Sequence, residues 1–156
     1  MQIAVIGAGA CTEHEQSAAY IIGRILAENH ATLICGGLGG VMEAACRGAR
    51  EHGGHTVGIM PDERDGNPYL DTVIRTDMGH ARNIIVIQSA DAVIAVGGKA
   101  GTLSEIAIAL KINKPVFGYR TWDIDGIVDC PTAEEAAFRA VSAAGRQPEP
   151  GSRRRC

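Results

Sequence analysis

Short apolar runs alternate along the chain with longer segments whose apolar residues recur every three to four positions. The runs have the length of β-strands and lie at residues 3–6, 32–35, 56–59, 72–76, 92–96 and 115–118. The longer segments predict helices over residues 13–29, 41–51, 81–89, 102–111 and 132–144. An apolar strand followed by an amphipathic helix is the pattern of a βαβ unit, so the alternation predicts parallel strands covered by helices on both faces.

The predicted fold is a single Rossmann-like α/β domain over residues 1–145, with a doubly wound parallel sheet in three layers. Thr12 and Thr132 are the predicted N-caps of the first and last helices. The segment 61–69 is polar and rich in turn formers, which predicts a mobile loop or lid. The segment 146–156 has little to bury, and we expect this C-terminal tail to be disordered.

Composition and net charge indicate which classes of binding partner to expect. Of the 156 residues, 46% are hydrophobic and 21% are charged, which is typical of a globular protein. The net charge of -3 gives no general attraction to nucleic acid or to an anionic membrane, and the one dense basic run, 153–155, belongs to the predicted tail. The N-terminus begins in a strand pattern and no apolar stretch has the length of a membrane span, so we predict a cytoplasmic location.

The cysteines and histidines indicate neither a disulfide framework nor a metal site. The five cysteines are odd in number and include no CxxC pair. His52 and His55 flank Gly53-Gly54, a predicted helix-ending turn, and no third ligand has a suitable spacing. We therefore expect buried thiols and no metal or other cofactor.

Candidate chemistry lies in three glycine clusters, each of which follows a predicted strand and leads to a helix. Such loops present unpaired backbone N–H groups and the positive end of a helix dipole to an anion. Because open parallel sheets bind ligands outside the carboxyl ends of their strands, we expect the clusters to face one site. The predicted ligand-binding glycines are Gly7, Gly9, Gly36, Gly37, Gly39, Gly40, Gly97, Gly98 and Gly101.

Two common nucleotide-binding motifs do not fit these clusters. The segment 7–12 lacks the third glycine of GxGxxG, and the second strand ends in Cys35, where a ribose-binding acid would be needed. A P-loop is excluded because the chain contains no GxxxxGK[ST] sequence. Classical NAD binding is therefore disfavoured.

Arg82 and Glu105 form the predicted catalytic pair. The sequence puts Arg82 at the start of one helix and Glu105 in the first turn of the next, with one buried strand between them. Arg82 offers a fixed fork of donors to phosphate or carboxylate. Glu105, held near a helix N-terminus, is expected to remain ionised and to stabilise a cationic transition state or orient water. The alternative is that Arg82 is a surface or ion-pairing residue and Glu105 only complements the helix dipole.

Three segments resemble the motifs of a known family. They are residues 36–43 (GGLGGVME), 79–83 (GHARN) and 97–105 (GGKAGTLSE). The family, once labelled "possible lysine decarboxylase", includes the LONELY GUY phosphoribohydrolases, which release the base from cytokinin nucleoside monophosphates, and the molybdenum-cofactor carrier proteins. The resemblance covers about residues 1–118 and is greatest to a short bacterial branch near the carriers. The decarboxylase label has no support, because none of the lysines lies in a pyridoxal-phosphate setting.

The match to the hydrolase motifs is incomplete. The chain keeps four residues of the signature PGGxGTxxE, namely Gly98, Gly101, Thr102 and Glu105. Gly97 stands in place of the proline and Lys99 in place of a glycine. In the MHxRK segment the chain keeps His80 and Arg82 and replaces the Met and Lys by Gly79 and Asn83. Lys99 either adds a phosphate contact or partly closes the site.

The resemblance implies two functions that the sequence leaves open. The first is hydrolysis of the N-glycosidic bond of a nucleoside 5′-monophosphate. In that function Arg82 and the amides from Gly98 to Thr102 hold the phosphate and ribose, while Glu105 stabilises the ribosyl cation and guides water. Glu43 is a further candidate for the same cleft. The second is a carrier or sensor that binds a phosphorylated pterin or nucleotide without turning it over.

A third interpretation, a purely structural or interaction domain, requires the glycine loops to be simple turns. The expected partner is a small phosphorylated ligand, with neither nucleic acid nor membrane involved. Because family members assemble as dimers, the resemblance also implies a homodimer or higher homo-oligomer.

Overall fold

In the computed structural model, which describes residues 1–145, the chain forms a seven-stranded sheet with helices on both faces. The strands are β1 Gln2–Gly7, β2 Thr32–Cys35, β3 Thr56–Met60, β4 Thr72–Arg75, β5 Ala92–Val96, β6 Val116–Tyr119 and β7 Ile127–Asp129. The helices are α1 Glu13–Glu28, α2 Val41–Glu51, α3 Asn83–Ser89, α4 Ala100–Lys111 and α5 Ala133–Ala144, with a 3-10 helix, Gly79–Arg82, directly before α3. The predicted tail, 146–156, lies outside the described residues.

The strand order is β4-β3-β2-β1-β5-β6-β7, and every ladder is parallel. The predicted Rossmann-like parallel sheet is therefore confirmed. From β1 the chain builds β2, β3 and β4 on one side and then returns to lay β5 against the other side of β1. The order reverses between β1 and β5, and a crevice for ligand is expected outside the carboxyl ends of these two strands.

The sheet is buried on both faces, as the continuous apolar strands predict. In β1, Ile3 and Val5 pack into the core beneath α1, α2 and α5, whereas Ala4 and Ile6 pack into the core beneath α3 and α4. All four side chains are essentially inaccessible. Full burial of an Ile or Val side chain contributes roughly 1.5–3 kcal/mol, so this central strand anchors both layers.

Helices α1 and α2 approach each other closely because each has a glycine at the crossing. A Cβ on Gly23 would overlap the carbonyl oxygen of Ala45, and one on Gly48 would overlap that of Tyr20. Glycine inside a helix is less stable than alanine by about 1 kcal/mol, and this contact accounts for its presence here. The crossing fixes the start of α2 beside the β1 loop, where Val41 donates its backbone N–H to the oxygen of Ala8 at 3.1 Å.

The predicted helix caps are confirmed. Thr12 caps α1 in a capping box with Glu15, and Thr132 caps α5 by accepting from the backbone N–H of Glu135. Gly53 follows the end of α2 with φ +74°, a conformation that favours glycine. Within residues 1–145, no helix is both long enough and apolar enough to cross a membrane.

Two predicted helix boundaries were wrong near the site, and one strand at the sheet edge was missed. Helix α4 begins at Ala100, two residues early, because Lys99 adopts the extended N-cap conformation there. The helix predicted over 81–89 is divided into the 3-10 helix Gly79–Arg82 and α3 Asn83–Ser89. Strand β7, Ile127–Asp129, was missed because three residues are too few to show a period.

Candidate ligand-binding cleft

A cleft of about 240 Å³ opens outside the carboxyl ends of β1 and β5, at the reversal in strand order. Its lining comes from the β1, β2 and β5 loops and from the starts of α2, α3 and α4. The lining residues are Gly7, Ala8, Gly9, Ala10, Leu38, Met42, His80, Arg82, Asn83, Lys99, Gly101, Thr102 and Glu105. The predicted pair Arg82 and Glu105 thus meets in one cleft with residues from all three glycine loops.

Arg82 is held in the cleft wall with only 7% of its surface exposed. Its Nη2 donates to the backbone oxygen of Gly36 at 3.1 Å, and its Nη1 donates to Oδ1 of Asn83. Its Nε is buried and has no hydrogen-bond partner among the described residues. An unpaired buried donor costs about 1–3 kcal/mol, and such groups are rare outside functional or strained sites.

Gly36 permits this close packing of Arg82. A Cβ at position 36 would lie 2.5 Å from Nη2 and 2.8 Å from Cζ of the guanidinium group. Any larger residue would therefore push Arg82 toward the cleft. Gly36 itself does not line the cleft, so its direct contact with ligand stays a prediction while its support of Arg82 is visible in the structure.

Glu105 lies in the second turn of α4, because that helix begins at Ala100. The expectation of a first-turn position was wrong. Its side chain is 7% exposed, and its Oε1 lies 3.7 Å from Nη1 of Arg82. Burial raises the pKa of Glu105 to about 7, although Arg82 acts in the opposite direction. The expectation of a fully ionised carboxylate was therefore also wrong, since near pH 7 both protonation states are populated.

Asn83 links Arg82 to the start of α4, a role that the sequence analysis missed. Its Oδ1 accepts from Arg82, and its Nδ2 donates to Oγ of Ser104 at 3.1 Å. Ser104 in turn donates to the backbone oxygen of Gly101 at 2.7 Å. Asn83 is 5% exposed, and no local sequence pattern marks its role, because the role depends on where the side chain of Arg82 lies.

The N-terminus of α4 is the one best suited to an anion. Lys99 caps it without any side-chain hydrogen bond, so the first backbone N–H groups of the helix have no partner within it. Gly101 and Thr102, in this first turn, line the cleft. By contrast, α1 is closed by its Thr12 capping box, and the first N–H of α2 is taken by the β1 loop. The positive end of the α4 dipole therefore faces the cleft.

The loop before α4 has a rigid base. The N–H of Gly97 donates to the oxygen of Tyr119 at 3.0 Å, and the oxygen of Gly97 accepts from Oγ1 of Thr121 at 2.6 Å. Gly97 and Gly98 both have positive φ, +52° and +122°, so the turn requires consecutive glycines. Neither glycine lines the cleft, and Gly98 instead lines an adjoining groove. Lys99 is exposed at the rim rather than buried in the site.

The remaining predicted residues lie on the β2–α2 loop and in the first turn of α2, beside the cleft. Gly39 and Glu43 line a second cavity of about 340 Å³, which shares Leu38 with the cleft. Gly37 and Gly40 have positive φ, +73° and +62°, and shape the loop without lining the cleft. The structure therefore does not bring these four residues into the cleft, and their contacts with ligand stay predictions.

The segment 61–70, predicted as a mobile loop or lid, borders this second cavity. Asn67 anchors its middle, because its backbone N–H donates to the oxygen of Gly37 at 2.9 Å and its Nδ2 donates to that of Leu38 at 3.1 Å. Asn67 is 7% exposed. Any opening of this segment must break these buried hydrogen bonds.

Among residues 1–145, no group of three or more His, Cys, Asp or Glu side chains has the arrangement of a metal site. Cys35, Cys46 and Cys130 are buried free thiols, and Cys11 is partly exposed. The Sγ atoms of Cys35 and Cys46 lie 3.5 Å apart behind Gly36. These thiols pack into the core as small apolar side chains.

Comparison with known proteins identifies relatives along the whole described chain. The model of the SLOG cluster4 family matches residues 1–145. An uncharacterised protein of Archaeoglobus fulgidus is 50% identical over 144 residues, which are 91% of this chain and 95% of that protein. The predicted resemblance therefore extends beyond residue 118.

Solved structures give a second group of similar proteins. The molybdenum cofactor binding protein of Rippkaea orientalis is 33% identical, with a TM-score of 0.85 over 90% of this chain and 95% of that one. The molybdenum cofactor carrier protein of Chlamydomonas reinhardtii is 30% identical, with a TM-score of 0.86 over 93% and 99% of the two chains. These similarities confirm the predicted place of the chain near the carriers.

Proposed function

The chain belongs to the SLOG cluster4 family, and from this premise we propose that its cleft binds a phosphorylated pterin or nucleotide and carries it without breaking a bond. One observation carries the proposal. The uncapped N-terminus of α4 and the buried guanidinium of Arg82 line the same cleft at the switch point of the sheet, and within residues 1–145 the Nε of Arg82 has no hydrogen-bond partner. The similar solved structures include a molybdenum cofactor binding protein and a molybdenum cofactor carrier protein, and this similarity favours the pterin over the nucleotide.

The phosphate is proposed to lie on the first turn of α4. Backbone N–H groups there have no intrahelical partner, and the helix dipole adds about half a positive charge. The exposed amine of Lys99 adds a full charge at the rim. Gly9 and Gly101 leave open space at the lining, since a Cβ at either position meets no atom within 4 Å. A phosphate oxygen can therefore approach the backbone closely.

The environment of Glu105 favours carriage over hydrolysis. A carboxylate that stabilises a ribosyl cation must be ionised and must present its charge to the sugar. Here the guanidinium of Arg82 lies 3.7 Å away and offsets that charge. The chain also departs from the hydrolase motifs at Gly97, Lys99 and Asn83.

A second candidate function, hydrolysis of a nucleoside 5′-monophosphate, is favoured by the raised pKa of Glu105. A carboxyl group that titrates near pH 7 is suited to protonate a departing base. Glu105 lies in the cleft beside Arg82, so a nucleotide bound there would come within its reach. Hydrolysis would consume one water and release the free base and ribose 5-phosphate, whereas carriage leaves the ligand intact.

The test is a thermal-shift screen of the wild-type protein and Glu105→Gln with AMP, GMP and a phosphorylated pterin, followed by chromatography of the recovered ligand. The carrier function predicts stabilisation of about 2.7 kcal/mol at a hundredfold excess of ligand over its Kd, with the ligand recovered intact from both proteins. Free base released by the wild type but not by Glu105→Gln would establish the hydrolase instead. Absence of stabilisation by every ligand would contradict both functions.

The assembly implied by the resemblance, a homodimer or higher homo-oligomer, stays part of this proposal. Light scattering coupled to gel filtration checks it directly, against the chain mass of 16.4 kDa. A mass of at least twice that value is expected.

A further inference from the structure

A groove of about 360 Å³ lies beside the cleft and shares lining residues with it. The two cavities share Ala8, Ala10 and Lys99. Two of the shared residues, Ala8 and Ala10, belong to the β1 loop and carry only a methyl group as side chain. Small side chains at this border favour a ligand that extends from the cleft into the groove.

The volume of the cleft alone is below the usual range for pockets that enclose a small molecule. Pockets that bury small molecules usually measure about 300–1,000 Å³. The cleft measures about 240 Å³ and the groove about 360 Å³, so the two together fall within that range while the cleft does not. The dimensions favour a ligand that occupies both.

Lys99 is the uncompensated cation at the junction. Arg82, the other cation of the cleft, has Glu105 within 3.7 Å. Lys99 is exposed, and within residues 1–145 no carboxylate oxygen lies within 4.0 Å of its amine. An unpaired ammonium group between the two cavities is positioned for an anionic group that bridges them.

Glu15 gives the groove an acceptor beyond the cleft. Its Oε2 accepts from the backbone N–H of Thr12 at 2.8 Å and from the Thr12 hydroxyl at 2.9 Å. Its Oε1 has no hydrogen-bond donor among the described residues and lies over Gly97. A free carboxylate oxygen is suited to a hydroxyl or amino group of a ligand and repels a phosphate. The groove therefore has a cation where it meets the cleft and an acceptor on its own wall.

From this arrangement we propose that the ligand is a two-part molecule joined by a diphosphate, of the dinucleotide type. This inference rests on the proposed function, because the first half occupies the cleft with its phosphate on α4. The second phosphate lies over Ala8 and Ala10 beside Lys99. The second half lies in the groove, where its hydroxyl or amino groups donate to Glu15.

The first experiment uses inorganic probes, so that the identity of the base does not matter. Orthophosphate and pyrophosphate are titrated calorimetrically into the wild type, Lys99→Ala and Lys111→Ala in a phosphate-free buffer. Pyrophosphate is expected to bind the wild type about tenfold more tightly than orthophosphate, and Lys99→Ala is expected to remove most of this preference. Lys111→Ala, an exposed control at the far end of α4 with the same charge change, should keep it.

The second experiment asks whether a ligand enters the groove. Cys11 lines the groove but not the cleft and is partly exposed, so its alkylation by iodoacetamide reports on groove occupancy. At saturating concentrations ADP-ribose should slow alkylation of Cys11 by about tenfold, whereas AMP, confined to the cleft, should slow it less than about twofold. Peptide mass spectrometry separates Cys11 from the other cysteines.

The outcomes distinguish this inference from the proposed function. Binding of orthophosphate and AMP, without a preference for pyrophosphate and without extra protection of Cys11 by ADP-ribose, would overturn the two-part ligand and leave the proposed function standing. Failure of all four probes and of the phosphorylated pterin to bind would overturn both. A pyrophosphate preference that survives in Lys99→Ala would also contradict the inference, because Lys99 would then not contact the second phosphate.

Discussion

Nη1 of Arg82 lies 3.7 Å from Oε1 of Glu105, and both side chains are more than nine-tenths buried in the wall of one cleft. Replacing a buried ion pair by apolar residues is often neutral or even stabilising, so the pair is not explained by stability. Its position at the switch point of the sheet gives it a functional explanation. The predictions below therefore treat the pair as part of the ligand site.

The stability of the protein should depend on pH through Glu105. Its pKa is raised from 4.5 to about 7 in the folded protein, so between these values the folded state binds more protons than the unfolded state. The free energy of unfolding should therefore contain a contribution on the order of 3 kcal/mol that is present below about pH 4.5 and is lost as pH rises through about 7.

Urea denaturation of the wild type and Glu105→Gln from pH 4.5 to 8.5 measures this effect. Glutamine keeps the size of the side chain but does not titrate, so subtracting its curve isolates the contribution of Glu105. The difference in unfolding free energy, wild type minus variant, should fall as pH rises. A difference that is constant or increases with pH would show that the carboxyl group is not destabilised by burial.

The variants Gly36→Ala and Gly9→Ala should distinguish two roles of glycine. Gly36 supports Arg82, whereas Gly9 leaves open space for the ligand. The methyl group at position 36 would press on the guanidinium of Arg82, so we expect a loss of about 1–3 kcal/mol of stability together with weaker ligand binding. The methyl group at position 9 meets no atom within 4 Å, so stability should change by less than about 0.5 kcal/mol.

Ligand affinity decides whether Gly9 lies beneath the ligand. Thermal unfolding without and with AMP measures the stability and the ligand affinity of each variant. Gly9→Ala is expected to weaken binding by about tenfold although the free protein is unchanged, because the methyl group occupies the cleft. Unchanged affinity in Gly9→Ala would place the ligand away from the β1 loop.

Asn83 is predicted to position Arg82 and the α4 loop relative to each other. Asn83→Ala removes an acceptor of Arg82 and the donor to Ser104, so we expect a loss of about 2–3 kcal/mol of stability. Ser104→Ala breaks the connection to Gly101 but leaves Arg82 paired. It should weaken ligand binding and cost less stability than Asn83→Ala. Gln88→Ala, an exposed change on the same helix, is the matched control and should alter neither quantity. Equal binding by Asn83→Ala and the control would rule out the positioning role.

The sequence predicted the sheet well because its strands are buried on both faces and read as continuous apolar runs. It also brought Arg82 and Glu105 together correctly, because the single strand β5 separates their helices and leads both to the same edge of the sheet. The start of α4 was misplaced because Gly101 is a poor helix former and hid the first turn. That error of two residues also moved Glu105 from the second turn to the first.

Other features depend on long-range contacts that no local pattern contains. The pKa of Glu105 follows from how deeply α4 packs, and the roles of Gly36 and Asn83 follow from the path of one arginine side chain. The sequence does not distinguish a glycine that lines the cleft, such as Gly9, from one that shapes a loop, such as Gly37. The structure separates these two uses of glycine.

The most direct test of the ligand site is an NMR titration of the uniformly ¹⁵N-labelled protein with orthophosphate and then with AMP. If the anion lies on α4, the backbone amide signals of Gly101 and Thr102 and the side-chain Nε–H signal of Arg82 should show the largest saturable shifts with both ligands. Saturable shifts confined to other parts of the chain, with these three signals unmoved, would contradict the account.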